Sequence, residues 1–194
     1  MKEKYFNPGT SLLVLFVMAT AMLRVAISFD SKISALAVFS PIGAMAVFGG
    51  AYFDKKTKSF GFPLLMLFIS DFILNQTVFK DIAHGILYDG WYWVYGAFAL
   101  MVLTGRWLLK KITVGRFLLA TMVCVLIHWI VTDFAVWLDL KIYEQDLNGY
   151  VTCLKNAIPF EWRFMTGTLV YGAILFGLFE RMKTKYPMLQ IARA

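Results

Sequence analysis

Four side chains that can carry or move a proton lie inside stretches that otherwise read as lipid-soluble: Arg24, Asp71, His128 and Asp133. A charge at membrane depth is expensive unless it faces protein or a wet cavity, so such residues mark packing specificity or function. Arg24 can pair with Asp71 or with Asp133, which would tie helices together. The same groups can also form the polar floor of a pocket. Asp71 and Asp133 together could serve as a two-acid centre, with His128 exchanging protons. Neither aspartate sits in a signature that fixes a hydrolytic site. His84, in Lys80-Asp-Ile-Ala-His-Gly, reads as a loop histidine whose imidazole can meet a metal-containing ligand at a pocket mouth. No second His or Cys stands at zinc-ligand spacing, so a metal site made by protein alone is not expected.

The elements that would hold these residues are apolar helices. The chain is 60% hydrophobic and only 16% charged, against roughly 25% charged in soluble domains. An all-α integral membrane protein with a single domain over residues 1–194 follows. Six apolar segments fall at about 11–28, 33–52, 60–76, 91–109, 114–136 and 164–180, each near the roughly 17–25 residues that a spanning helix needs. Lys2 and Lys4 before the first run resemble the front of a signal peptide, yet the run continues into Arg24 with no small-residue cleavage pattern, and it reads as a retained helix. Pro41 and the neighbouring glycines suggest a kink or a re-entrant start in the second segment. Ala46 and Gly50 form a small-xxx-small pair, with Gly43 one turn earlier, which allows close helix approach inside the bundle or against a partner.

The formal charge of +7 does not point to nucleic acid, because the basic residues are scattered among short connections. With both termini cytoplasmic, the inner side receives Lys2, Lys4, Lys55, Lys56, Lys58, Arg106, Lys110, Lys111, Arg116, Arg181, Lys183, Lys185 and Arg193, while the outer side keeps Lys32, Lys80, Lys141, Lys155 and Arg163. That bias favours this orientation. It places Arg24, Asp71, His128 and Asp133 in one outer layer, below outer connections expected at about 77–90 and 137–163, where loops collect binding residues. Trp91, Trp93 and Tyr95 read either as an interfacial belt or as the entrance for a planar ligand, and Trp129, Trp137, Phe160 and Trp162 share that ambiguity. Cys124 reads as a buried thiol and Cys153 as an exposed one, an improbable disulfide pair.

Three stretches, Phe39 to Phe53, Pro63 to Asp71 and Cys153 to Phe160 with the helix around Gly167, resemble a family of small prokaryotic membrane proteins. That family is similar to the substrate-binding S-components of energy-coupling-factor (ECF) vitamin transporters. The resemblance implies a six-transmembrane-helix bundle in the cytoplasmic membrane that captures a vitamin-like molecule from outside and topples to deliver it. It also implies a transmembrane coupling subunit with cytoplasmic ATPases, since this chain has no Walker motif. Helix one has Ala19 and Ala21 rather than the family's Ala-xxx-Ala coupling pair. Among vitamin classes the chain looks most similar to solitary cobalamin-transporting S-components. With no cofactor of its own, it would then bind cobalamin as cargo, with His84 reaching the cobalt and outer aromatics covering the corrin ring. Arg24, Asp71, His84, Trp91, Trp93, Tyr95, His128, Asp133 and Phe160 are the expected ligand-binding residues. An intramembrane enzyme using Asp71 and Asp133, and a structural membrane subunit, are the competing classes.

Overall fold

A computed structural model describes residues 8–29, 40–81 and 85–189. Among these the chain forms six α-helices: α1 (Pro8–Phe29), α2 (Ile42–Tyr52), α3 (Lys56–Gln76), α4 (Trp91–Leu108), α5 (Val114–Asp139) and α6 (Leu147–Lys185), closed by a 3-10 turn at Pro187–Leu189. No strand occurs among the described residues. Local chemistry sets the helix starts. Thr113 Oγ1 accepts from Arg116 N at 3.3 Å ahead of α5, and Asp146 Oδ1 accepts from Gly149 N at 2.7 Å ahead of α6, each satisfying an N–H that the first turn cannot. Gly90, left-handed with φ 75°, turns the chain into α4.

Helix α2 is the core. Every residue from Gly43 to Tyr52 is buried, and α2 touches all five other helices. Close approach makes this possible: a Cβ on Gly50 would overlap the Val102 carbonyl of α4, and one on Gly105 would overlap Val47 of α2. The small-residue stretch is thus used for internal packing. Phe48 stacks edge-on against Phe176 and Phe179 with centroids 5.3 and 5.6 Å apart, the geometry that ring quadrupoles favour. The outside is apolar instead. Leu118, Leu119, Met122, Leu126 and Ile130 of α5 are exposed, as are Leu15 and Met22 of α1.

Helices α1, α3, α5 and α6 are long and apolar enough to cross a membrane. The 11 residues of α2 cover only about 16 Å at 1.5 Å per residue, against a hydrocarbon core of roughly 30 Å. Of the helix expected at 33–52, Ile42–Tyr52 is helical, Ser40 and Pro41 precede it so that Pro41 does not kink it, and residues 33–39 lie outside the described set.

The larger departure concerns 137–163, expected as a long connection. The chain turns within 140–146, and α6 then runs 39 residues from Leu147 through Pro159 to Lys185. Lys155, Glu161 and Arg163 had disguised it as a loop. Cys153 is consequently buried, not exposed, and both cysteines are free thiols.

Successive helices alternate in direction. At one end Arg106 of α4 donates to the carbonyls of Phe53 (3.3 Å) and Asp54 (3.1 Å) and to Ser59 Oγ (2.8 Å), gathering α2, α3 and α4. Tyr52 donates to Glu180, which binds α6 to the same end. The opposite end holds Arg24.

Candidate functional site

At the Arg24 end all six helices converge on a cavity of about 200 Å³. Arg24 and Ser28 come from α1, Ser40 and Ile42 from the start of α2, Leu74 from α3, Phe98 and Met101 from α4, His128 from α5 and Phe164 from α6. A mostly apolar wall with a few convergent polar groups is the usual composition of a small-molecule site.

Two buried polar clusters flank it. Arg24 Nη1 lies 2.6 Å from Asp71 Oδ1 and donates to Ser70 Oγ, also at 2.6 Å. Ser70 in turn donates to the Leu67 carbonyl at 2.9 Å. The Asp71 side chain is 1% exposed, a depth at which an ionised carboxylate needs this guanidinium. Tyr88, on the connection before α4, reaches Asp71 Oδ2 at 3.5 Å. Burial, and then the Asp71 carboxylate beside it, hold the Tyr88 phenol well above its ordinary range. Of the two partners expected for Arg24, the structure selects Asp71.

On the other side His128 Nδ1 lies 2.7 Å from Glu161 Oε1 of α6, and its ring stacks on Phe164 with centroids 4.2 Å apart. Asp133 lies in the electrostatic range of both. One oxygen of each acid, Glu161 Oε2 and Asp133 Oδ2, is buried without a hydrogen-bond partner. Cys153 Sγ donates to the Asp133 carbonyl at 3.6 Å, and Trp129 Nε1 to that of Leu154 at 2.9 Å, so α5 and α6 form one rigid hairpin here.

Arg24 and His128 therefore share the cavity wall. Asp71 stands behind Arg24, and Asp133 belongs to the His128 cluster. The two aspartates that a two-acid centre would require thus lie in different clusters. The Tyr95 hydroxyl is buried in the electrostatic range of Asp71. Trp91 packs on Tyr95 at 5.3 Å, Trp93 packs on Phe134 at 5.3 Å, and Phe160 is exposed. None of these three lines the cavity. His84 lies outside the described residues.

Glu161 and Ser70 are the site residues that sequence reasoning missed. Ser70 adjoins Asp71 and needed only attention to the neighbour. Glu161 was readable only if Asp146-x-x-Gly149 had been taken as a helix start. Among the described residues no three His, Cys, Asp or Glu side chains group as a metal site would need.

Larger hollows lie elsewhere. One of about 450 Å³ at the opposite end is lined by Asp54, Arg106 and Lys110, and an apolar groove of about 420 Å³ runs between α1 and α3. Neither joins all six helices. Among known proteins, the model of a family described as a family of unknown function, DUF6580, matches residues 4–189. No curated protein and no solved structure matches the chain.

Proposed function

The chain belongs to the family of unknown function DUF6580, and we propose that it captures a small vitamin-like organic molecule within the membrane and delivers it inward. The observation that carries this reading is the cavity itself, where Arg24 and His128, drawn from α1 and α5, face a common apolar space of about 200 Å³. Buried charge is costly to keep. A binding role accounts for why the Arg24 guanidinium is kept on one wall with the His128 ring.

The similarity to S-components supports uptake from outside through a bundle in the prokaryotic cytoplasmic membrane, with any ATP hydrolysis supplied by a coupling subunit and its ATPases. The concentration of basic residues at the Arg106 end supports a cytoplasmic position for that end and for both termini. Cobalamin is the large-ligand form of this proposal. The cavity lies below the roughly 300–1,000 Å³ of pockets that enclose drug-sized ligands, so a corrinoid would need the Arg24 end to open, with His84 as its cobalt partner. Cobalamin spectra that do not differ between the native chain and a folded His84→Ala protein would reject that partner.

The direct test is mass spectrometry of small molecules retained by the purified full chain. We expect a small organic compound in stoichiometric amount from the native protein, and none from Ile42→Trp, which fills the cavity. Equal retention by both would reject the cavity as the site.

A further inference from the structure

We propose that His128, Glu161 and Asp133 form a proton-binding site coupled to the cavity, so that an organic anion enters together with one proton. This rests on the cavity being a ligand site, and it names the ligand class as a small carboxylate with a flat apolar body.

The ligand class follows from the lining. Arg24 uses Nη1 on Asp71 and Ser70. Across the space stands His128, and between them lies the start of α2, where Ser40 Oγ accepts from Ile42 N at 3.4 Å. The N-terminus of α2, with Arg24 as a donor beside it, favours negative charge. Leu74, Phe98 and Met101 supply the apolar wall, and Phe164 is already stacked on His128.

The proton follows from charge balance. Arg24 and Asp71 cancel. Among the described residues that leaves one imidazole against two carboxylates, and the Glu161 side chain is only 8% exposed. Glu161 Oε2 and Asp133 Oδ2, buried and unpartnered, are lone pairs awaiting a donor. A proton on either oxygen would supply the hydrogen bond that the buried atom lacks. The protons of such a cluster belong to the group and not to one residue. An arriving anion adds one negative charge, and one proton from bulk water, ending on a Glu161 or Asp133 oxygen, restores neutrality. No covalent bond to the ligand forms or breaks.

Among the described residues, the charged and titratable groups facing His128 fit this account. Asp133 comes from α5 and Glu161 from α6, while Tyr150 and Cys153 of α6 stand beside Asp133. Arg24 of α1 is already committed to Asp71 of α3, against which Tyr88 and Tyr95 are placed. Lys155 and Arg163 of α6 are exposed. Glu161 also borders an apolar groove of about 260 Å³ between α5 and α6, beside Trp129, Trp162 and Met165. A hydrophobic reagent can therefore approach Glu161 from the lipid side.

The test is calorimetric titration of the full chain in detergent with benzoate and benzamide, equal in shape but not in charge, in buffers of different ionisation enthalpy between pH 6 and 8. We expect benzoate to bind with uptake of close to one proton, its affinity falling about tenfold per pH unit where the site titrates, and benzamide to bind without proton exchange. Asp133→Asn with Glu161→Gln should abolish the uptake. Benzoate binding without uptake and with equal affinity across the range overturns the proton coupling and leaves the cavity reading intact. Benzamide binding without benzoate binding overturns the anion assignment, again without touching that reading. Binding of neither probe overturns the inference, while the retained-molecule experiment judges the cavity separately. As an independent measure, dicyclohexylcarbodiimide, which modifies protonated buried carboxyls, should label Glu161 or Asp133 less as pH rises and more when benzoate is present. Labelling of neither at any pH overturns the proton site.

Discussion

Arg24 holds Asp71 and Ser70 through a single nitrogen, so deleting the guanidinium strands a carboxylate that is 1% exposed. We expect Arg24→Ala to cost about 3–5 kcal/mol, the usual loss when one partner of a buried pair is removed. Arg24→Met with Asp71→Leu should recover most of it, because no lone charge then remains; thermal unfolding in detergent would compare the three proteins. A second expectation at this scale concerns Tyr88. Its phenol is raised in the folded chain by burial and by Asp71. A raised group contributes stability that is complete below its unfolded value near 10 and is lost as pH climbs toward the folded value. Absorbance at 295 nm during alkaline titration should show Tyr88 ionising only as the bundle unfolds, and Tyr88→Phe should move the alkaline unfolding midpoint upward. Arg24 and Asp71 were legible in the sequence because charge inside an apolar run is rare in any fold. Their choice of each other was not, since Asp133 offered the same chemistry.

At the scale of elements, periodicity and apolar length located α1, α3, α4 and α5 to within a few residues, and misjudged α6. Pro159 and the charges around it look like a loop because a helix-interior proline costs about 3 kcal/mol. Long-range packing overrides that local cost: α6 lies along α5, and the Trp129 indole bonds a carbonyl in the turn before Pro159. This hid Glu161, and with it the partner of His128. The start of α6 depends on Asp146, and Asp146→Ala should destabilise by about 1 kcal/mol, measured as a lower unfolding midpoint. The α2–α4 crossing is less forgiving. Gly50→Val drives a side chain into the Val102 backbone, and we expect a loss of at least 1–3 kcal/mol, as overpacking commonly brings; a stability equal to the native chain would mean that the two helices can separate at no cost.

For the molecule as a whole, charge asymmetry and burial of both native thiols make one measurement decisive. Cys124 and Cys153 are 0% and 2% exposed, so a single new cysteine reports its own side of the membrane with little background. On the proposed orientation, with the Arg106 end cytoplasmic, Asn148→Cys should react with a membrane-impermeant thiol reagent on intact cells, and Lys110→Cys only after the membrane is opened. The reverse pattern would invert the orientation and turn the cavity toward the cell interior. Sequence supplied this asymmetry from loop composition alone, whereas the meeting of six helices at one cavity depends on packing that no local pattern records.

The short central helix α2 has a consequence for how the chain is made. Its glycine-rich face is matched to α4 and α6, which leave the ribosome later. A newly synthesised α2 must therefore wait, either sheltered by the insertion machinery or held loosely against α1 and α3, until its later-born neighbours arrive to enclose it. Chains truncated before α4 would present an unfilled seam to the quality-control proteases of the membrane, and their rapid turnover would be the cellular signature of a core assembled from the outside in.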